Sequence, residues 1–442
     1  MSNLTGSEPL AAQARQLVHA GEWQKAADAL RQLIGEVTGV KAGQLTINRD
    51  QYSLNSLNGT VTLDDGRALF FKYHNEEGED KTIEEYYNAE LLRESGFRVD
   101  VPVYACGEPG RQILMYTLRH DRRMADVCRD IEQQQAWDQE AEIEEAQRRA
   151  DRDILTNTLP TLKAGSVDYV SAEPIHQLFH HRLVSPDNPE IPAGFGGRVA
   201  RFYVGKTFQL EDEQLEWQTL SNLRWVINGV AYEHSLRQLF AEAGTRLAPA
   251  ALADHGVITA HGDAHNANVW YDTSEEIPQL VSFDPAFAGR NIPALLAEIK
   301  ATFHNIFAHP LWLYEPARCG ELYKVTVMRR GDTLFVDHNW QLTPLRAAFL
   351  RDKGEEYWQP LLAQLARRGW LPPHWQRIFR LAMFCCPTLV LDLRAGGFSG
   401  HTPTSSALGL AMSVMLGSQP VEDLDEFSQW LAGISPAEKA ND

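Results

Sequence analysis

Three side chains in one stretch of this sequence have the types and spacing to hold a divalent metal ion on a phosphate. The run His261-Gly262-Asp263-Ala264-His265-Asn266-Ala267-Asn268-Val269 is followed by Val281-Ser282-Phe283-Asp284-Pro285-Ala286-Phe287-Ala288-Gly289. Asp263 and Asn268 stand five residues apart, and Asp284 lies 21 residues beyond Asp263. Between them, Val269-Trp270-Tyr271 and Gln279-Leu280-Val281-Ser282 have the apolar content of two short strands. A hairpin made of these strands would bring the two loops together. Two carboxylates and an amide oxygen form a hard oxygen set of the kind that suits Mg²⁺, which is usually held by one or two carboxylates plus substrate phosphate oxygens. Acids that merely cap loops are the competing reading, but capping alone does not require these spacings.

The pattern H-G-D-x-H-x-x-N, then a hydrophobic residue and D-x-x-x-x-G, resembles the aminoglycoside phosphotransferase and choline kinase group of the protein-kinase-like superfamily. In protein kinases the matching elements are H-R-D-x-x-x-x-N and D-F-G. The resemblance spans Gln51 to Phe307. It implies an α+β, bilobal protein-kinase-like fold with a strand-rich N-lobe and a mainly helical C-lobe. It also implies ATP and Mg²⁺ as cofactors. By motif, Asp263 is the catalytic base that accepts the proton of a substrate hydroxyl, Asn268 and Asp284 hold Mg²⁺ on the β- and γ-phosphates, and His261 braces the loop.

The same resemblance assigns the nucleotide-binding residues. Lys72, late in a strand after a hairpin, takes the place of the phosphate-binding lysine; a solubilising edge-strand charge is the plainer alternative. The loop Ser53–Gly59 would cover the nucleotide, with Ser56 and Asn58 among its polar side chains and one Gly where protein kinases have three. Glu90 falls in the apolar stripe marked by Ile83, Tyr86 and Tyr87 and is the expected partner of Lys72. Counting back from Leu91-Leu92, however, the family spacing would put Asn88 there, and a surface carboxylate is the other reading of Glu90. Met115, Tyr116 and Thr117 would form the hinge on whose backbone adenine docks.

These residues need a scaffold, and hydrophobic periodicity supplies one. Residues 8–37 read as two helices broken at Gly21-Glu22, a single hairpin too short for a solenoid and read as a packing appendage or a dimer element. Strands follow at Gln44–Asn48, Gly59–Leu63 and Ala68–Tyr73, the last two joined at Asp64-Asp65-Gly66. A helix at Lys81–Glu94 stops at Ser95-Gly96, and strands at Pro102–Ala105 and Arg111–Tyr116 complete an α+β unit. Charged helices are expected over 121–162, a loop over 186–197, helices over 211–247 and 294–307, and a hairpin at Tyr323–Met328 and Thr333–Asp337, with helices to the end. The expected division is a helical hairpin at 1–42, a nucleotide-binding N-lobe at 43–117 and a helical C-lobe with large inserts at 118–442.

Composition limits the partners. The 442 residues carry 41 Lys plus Arg against 59 Asp plus Glu, a formal net charge of −18. That balance argues against nucleic acid, since phosphate backbones need a basic surface, and leans toward a cationic acceptor such as an amino sugar, aminoglycoside or amino alcohol. Five cysteines with no C-x-x-C pair point to free thiols in a reducing compartment. No basic leader followed by an apolar run opens the chain, and no stretch matches a membrane span, so the expected location is the cytoplasm, with no membrane partner. The expected activity is an ATP- and Mg²⁺-dependent phosphotransferase acting on a hydroxyl of a small molecule. Its rivals are a protein kinase, disfavoured because Arg290-Asn291-Ile292-Pro293 leaves little room for an activation loop, and a nucleotide-binding interaction protein without catalysis.

Overall fold

The computed structural model describes residues 10–48, 56–74, 88–108, 111–184, 195–308 and 310–436. The chain forms two compact units: Met1–Arg122 together with Val281–Ala286, and Arg123–Leu280 together with Phe287–Asp442. The boundary thus falls at 122/123 rather than 117/118, and the segment carrying Asp284 belongs to the strand-rich unit.

In the first unit, α1 (Leu10–His19) and α2 (Trp23–Thr38) are the expected helical hairpin. Alanine and leucine recur on one face of α2, burying Ala26, Ala27, Leu30, Leu33 and Ile34. Gly39, at φ 70°, ends the helix in the left-handed region and returns its N–H to the Gly35 carbonyl. The hairpin shares one core with the sheet, including Leu45, Val61, Leu63, Leu69, Phe71 and Met115. Its apolar face is therefore covered within the unit.

The sheet contains β1 (Ala42–Ile47), β2 (Ser56–Leu63), β3 (Ala68–His74), β4 (Tyr104–Cys106) and β5 (Ile113–Thr117), in the order β1-β2-β3-β5-β4. β2 and β3 pair antiparallel around the expected turn, with Asn58 opposite Lys72 and Gly59 opposite Phe71. A side chain at Gly59 would stand 2.0 Å from the Thr46 carbonyl oxygen, so the strands approach only because it is glycine. Residues 88–94 are helical, as expected; residues 81–87 of that expected helix, the expected loop at 186–194 and the loop residues 53–55 lie outside the described residues.

The second unit is mainly helical around one large core. Long helices occur at Met124–Gln134, Glu140–Thr158, Trp375–Val390 and Pro403–Gly417. The expectation of helices over 211–247 is corrected in its first half. Strands Thr207–Leu210 and Glu213–Glu216 form one hairpin and strands Arg224–Ile227 and Val230–Tyr232 another, with one short helix, Trp217–Leu220, between them, and the longer helix begins at Leu236 behind a Ser235 capping box. The second turn is Asn228-Gly229, both at positive φ (48° and 83°), the preferred chemistry of a two-residue hairpin. Arg224–Ile227 then pairs parallel with Thr333–His338, the return strand of the expected late hairpin, giving a four-stranded sheet. No helix among the described residues is long and apolar enough to cross a membrane. The cysteines are free; Cys106 is half-buried and the other four are buried.

Candidate active site

In the first unit, strand alternation sets the geometry of Lys72. Leu69 and Phe71 point into the core, so Lys72 projects from the opposite face of β3. Its Nζ donates to Asp284 Oδ1 at 2.6 Å, with the lysine side chain 13% exposed and the aspartate 40%. Two residues picked out by separate motifs and 212 positions apart are thereby joined. The segment that carries Asp284 is docked on this unit by its backbone. Ser282 N–H donates to the Arg98 carbonyl at 3.0 Å, and its carbonyl accepts from Asp100 N–H at 2.8 Å. Asp284 itself has φ 57°, a left-handed conformation that aspartate tolerates better than most residues and that often accompanies functional sites.

The helix 88–94 contributes in a way the sequence left open. Asn88 Nδ2 donates to the Pro285 carbonyl at 3.1 Å, immediately after Asp284. Glu90 does not take the role expected of it: its carboxylate pairs with Arg93, one turn along the same helix, because an i,i+3 spacing puts the two side chains side by side. Asn58 is buried opposite Lys72 and its Oδ1 accepts from Asn48 Nδ2 at 2.8 Å. Ser56 and Asn58 are strand residues of β2 rather than loop residues. Met115 and Tyr116 also lie within a strand: β5 continues to Thr117, is paired with β3 and β4, and the Met115 carbonyl accepts from Val103 N–H at 2.8 Å. Their backbone therefore takes part in the sheet ladder.

In the second unit, the fully buried strand Gly256–Ala260 leads into the H-G-D loop. Gly262 has φ 79°, and a side chain there would stand 2.8 Å from Ile175 Cδ1 and 2.9 Å from the Phe287 carbonyl oxygen. The loop is tied internally. Asp263 N–H donates to His261 Nδ1 at 3.3 Å, the bracing role expected of that histidine. Asn268 Nδ2 donates to the Asp263 carbonyl at 3.0 Å, and His265 N–H reaches the same carbonyl at 2.9 Å. The loop is also tied to the core. Asn266 N–H donates to Asn305 Oδ1 at 2.8 Å, and the Asn305 carbonyl accepts from Arg346, which is buried in an ion pair with Glu132 at 2.6 Å. Asn305 sits in the π-helical turn Phe303–Phe307, an irregularity that aims side chains an ordinary helix would place elsewhere.

Residues the sequence did not single out complete this surrounding. His265 Nε2 lies 3.8 Å from Asp263 Oδ1, and its ring packs at a tilt against His304 with centroids 4.7 Å apart. His304 Nε2 shares a 2.8 Å hydrogen bond with Lys300 Nζ, and its Nδ1 contacts the Tyr314 hydroxyl. Burial and the neighbouring Lys300 hold His304 well below the usual histidine range, so the imidazole is neutral near pH 7. Lys300 and His304 stand at i and i+4 in a largely buried segment, a polar pair that could have marked a buried site. Glu173 fixes the far end of the second motif, accepting from Asn291 N–H at 2.8 Å; Gly289 leaves it room, since a side chain there would meet Glu173 Oε2 at 1.6 Å.

Each unit by itself offers a donor of the type that suits Mg²⁺. With its Nδ2 directed at the Asp263 carbonyl, Asn268 keeps its Oδ1 as a hard acceptor, and Asp284 supplies a half-exposed carboxylate. No group of three or more His, Cys, Asp or Glu among the described residues is placed to hold a metal.

No family model matches the chain, and no curated protein matches it. Among solved structures, the chain is similar to macrolide 2'-phosphotransferase type I at 11% identity, covering 94% of this chain and 98% of that one with a TM-score of 0.40. It is similar to an amicoumacin kinase in complex with AMP-PNP, Ca²⁺ and Ami at 12% identity, over 87% and 92% of the two chains, TM-score 0.40. It is also similar to a microcompartment-associated aminopropanol kinase at 14% identity, over 87% and 95%, TM-score 0.38. All three bear the names of small-molecule kinases or phosphotransferases.

Proposed function

We propose that this protein transfers the γ-phosphoryl group of ATP, in the presence of Mg²⁺, to a hydroxyl of a small molecule. The observation that carries the reading is the 2.6 Å bond between Lys72 and Asp284. A lysine on the third strand and the aspartate of the second motif meet although 212 positions separate them. Lys72 would grip the transferred phosphates, and Asp284 and Asn268 would hold Mg²⁺. The metal, when bound, neutralises the charge that develops on the phosphate oxygens. Asp263 would accept the proton of the attacking hydroxyl, with its loop fixed by His261, Asn268 and Asn305 so that little reorganisation is needed.

A peptide acceptor is the weaker reading. Only Pro285–Ala288 separate Asp284 from the strand Gly289–Pro293, which pairs with Gly256–Ala260. That leaves no chain for a peptide platform. The test is transfer of labelled phosphate from ATP to a panel of small hydroxyl compounds. Transfer that needs Mg²⁺ and is lost in Asp263→Asn is expected. Absence of Mg·ATP binding by calorimetry would refute the reading.

A further inference from the structure

The π-helical turn Phe303–Phe307 turns two neighbouring side chains toward the H-G-D loop. Asn305 fixes the loop backbone at Asn266. His304, one residue earlier, packs against His265, whose Nε2 lies 3.8 Å from Asp263 Oδ1. The row of rings continues outward, because Tyr314 stacks on His304 with centroids 5.9 Å apart and planes 24° from parallel. His265, His304 and Tyr314 thus form a line that begins beside the expected base and ends at a side chain 43% exposed.

Tyr314 is held in place although it is exposed. Two residues before it, Trp312 is fully buried and its Nε1 donates to the Phe307 carbonyl at 3.0 Å. One residue after it, Glu315 pairs with Arg129 at 3.3 Å, and the next residue, Pro316, is buried. The orientation of Tyr314 is the reverse of an ordinary surface tyrosine, which buries its ring and leaves its hydroxyl in water. Here the ring is open and the hydroxyl turns inward onto Nδ1 of the buried His304.

The partners of His304 decide where the hydrogens go. Lys300 Nζ lies 2.8 Å from His304 Nε2, and among the described residues no carboxylate is within ion-pair distance of that ammonium. An ammonium only donates, so Nε2 accepts. The imidazole is neutral, and its one hydrogen therefore sits on Nδ1 and goes to the Tyr314 oxygen. Burial raises the phenol above the usual tyrosine range, so it keeps its own hydrogen at neutral pH. His304 is the one hydrogen-bond partner of that hydroxyl among the described residues, which leaves the phenolic hydrogen to be given elsewhere.

We propose that Tyr314 contacts the acceptor: it donates its phenolic hydrogen to an oxygen of the acceptor other than the hydroxyl that reacts at Asp263, and its open ring forms the outer wall of the acceptor site. Lys300 and His304 are positioning residues that act through Tyr314 by keeping the imidazole hydrogen on Nδ1. The site so built selects compounds with a second oxygen over those whose only oxygen is the one phosphorylated. This rests on the reading of Asp263 as the base.

The test uses acceptors that differ by one oxygen: 3-aminopropane-1,2-diol with 1-aminopropan-2-ol and 3-aminopropan-1-ol, and glucose with 2-deoxyglucose and 3-deoxyglucose. Whichever hydroxyl is phosphorylated, one analogue in each set retains it. The expected result is phosphorylation of a parent compound with KM about twofold to tenfold below that of the analogue reacting at the same hydroxyl, as one hydrogen bond would give. Tyr314→Phe should raise the KM of the parent by the same factor and abolish the preference, because each change removes one end of the same bond. KM for Mg·ATP should not move. Lys300→Met should raise the KM of the parent less, and should have no effect on it in the Tyr314→Phe background; a lysine with a purely structural role would act alike in both, which would overturn its assignment. Lack of preference in both sets, a preference that survives Tyr314→Phe, or an effect of Tyr314→Phe confined to kcat or to KM for Mg·ATP would overturn the proposal and leave the phosphotransferase reading intact. If no compound is phosphorylated, calorimetry with the same compounds decides. Binding of a parent that Tyr314→Phe weakens to the level of its deoxy analogue would support the Tyr314 site and count against the kinase. No binding of any compound, or binding that Tyr314→Phe leaves unchanged, would overturn the site.

Discussion

Asp284 and Asp263 are both acids of the proposed reaction, yet the two units hold them differently. Asp284 is half-exposed, matched by the Lys72 ammonium, and strung on a segment fastened at Ser282 and Pro285. Asp263 is 14% exposed and stands in a loop braced by its own side chains and by the buried Glu132–Arg346 pair behind Asn305. The first arrangement suits a carboxylate that would hold a metal while its lysine grips phosphates. The second suits a group whose position must not change while a proton moves. Charge matching should therefore govern nucleotide affinity in the strand-rich unit, and loop rigidity should govern turnover in the helical one.

The sharpest way to break that contrast is Asp263→Asn. The amide keeps the shape and cannot accept the proton, so kcat should fall by about 10²–10⁴-fold, the usual contribution of a positioned general base. Mg·ATP affinity measured by calorimetry should not change. A weakened nucleotide would mean that Asp263 belongs with the charge-matched set after all.

Next in size come Lys72→Met and Asp284→Ala. Each removes one half of a charge-assisted contact worth about 1.5–3 kcal/mol, so each should weaken Mg·ATP about tenfold to a hundredfold by the same measure. The double variant should be little worse than either alone, because the two act as one unit. Additive losses would show that the pair seen in the structure is not kept in the nucleotide complex.

Asn88→Ala tests how the segment after Asp284 is held. Losing a neutral hydrogen bond to the Pro285 carbonyl costs about 0.5–1.5 kcal/mol, so KM for Mg·ATP should rise about twofold to tenfold. Asn88→Asp should do worse than alanine, since a carboxylate cannot donate and would face a carbonyl oxygen. Equal kinetics for wild type and both variants would leave the segment held by Ser282 and Lys72 alone.

What could be read in the sequence divides along the same line. The strand-rich unit was legible because its signals are local: alternation at Leu69 and Phe71, the Asp64-Asp65-Gly66 turn, and the alanine-leucine face of α2. In the helical unit, Glu211 to Tyr232 was misread as helix, although Asn228-Gly229 between Trp225-Val226-Ile227 and Val230-Ala231-Tyr232 carries the hairpin signature. Charged residues at 211–216 masked it, and the partner of Arg224–Ile227 lies more than a hundred positions away at Thr333–His338, where no local pattern points. The site followed suit. Asp263, Asn268, Asp284 and Lys72 are marked by motif. Lys300 is buried in the short helix Ile299–Thr302, where a cation calls for a reason.

Glu90 makes the smallest prediction and the most direct check on sequence reasoning. An apolar stripe through Ile83, Tyr86 and Tyr87 made it the natural partner of Lys72, whereas the structure gives its carboxylate to Arg93. Side-chain exposures of 26% for the glutamate and 60% for the arginine put that pair in contact with water. An exposed i,i+3 pair contributes about 0.2–1 kcal/mol at most, because solvent screens the attraction and two long side chains lose freedom. Glu90→Gln should accordingly leave kcat and KM for Mg·ATP at wild-type values and lower the melting temperature by at most a few degrees, about what a fraction of a kcal/mol produces in a domain of this size. The informative comparison is with Asn88→Ala two positions earlier on the same helix. If Glu90→Gln raises KM for Mg·ATP and Asn88→Ala does not, the helix turns a different face to Lys72 when nucleotide binds, and the motif-based expectation holds in that state. If the order is as the structure has it, the link from this helix to the segment carrying Asp284 runs through the Asn88 amide and the Pro285 backbone carbonyl.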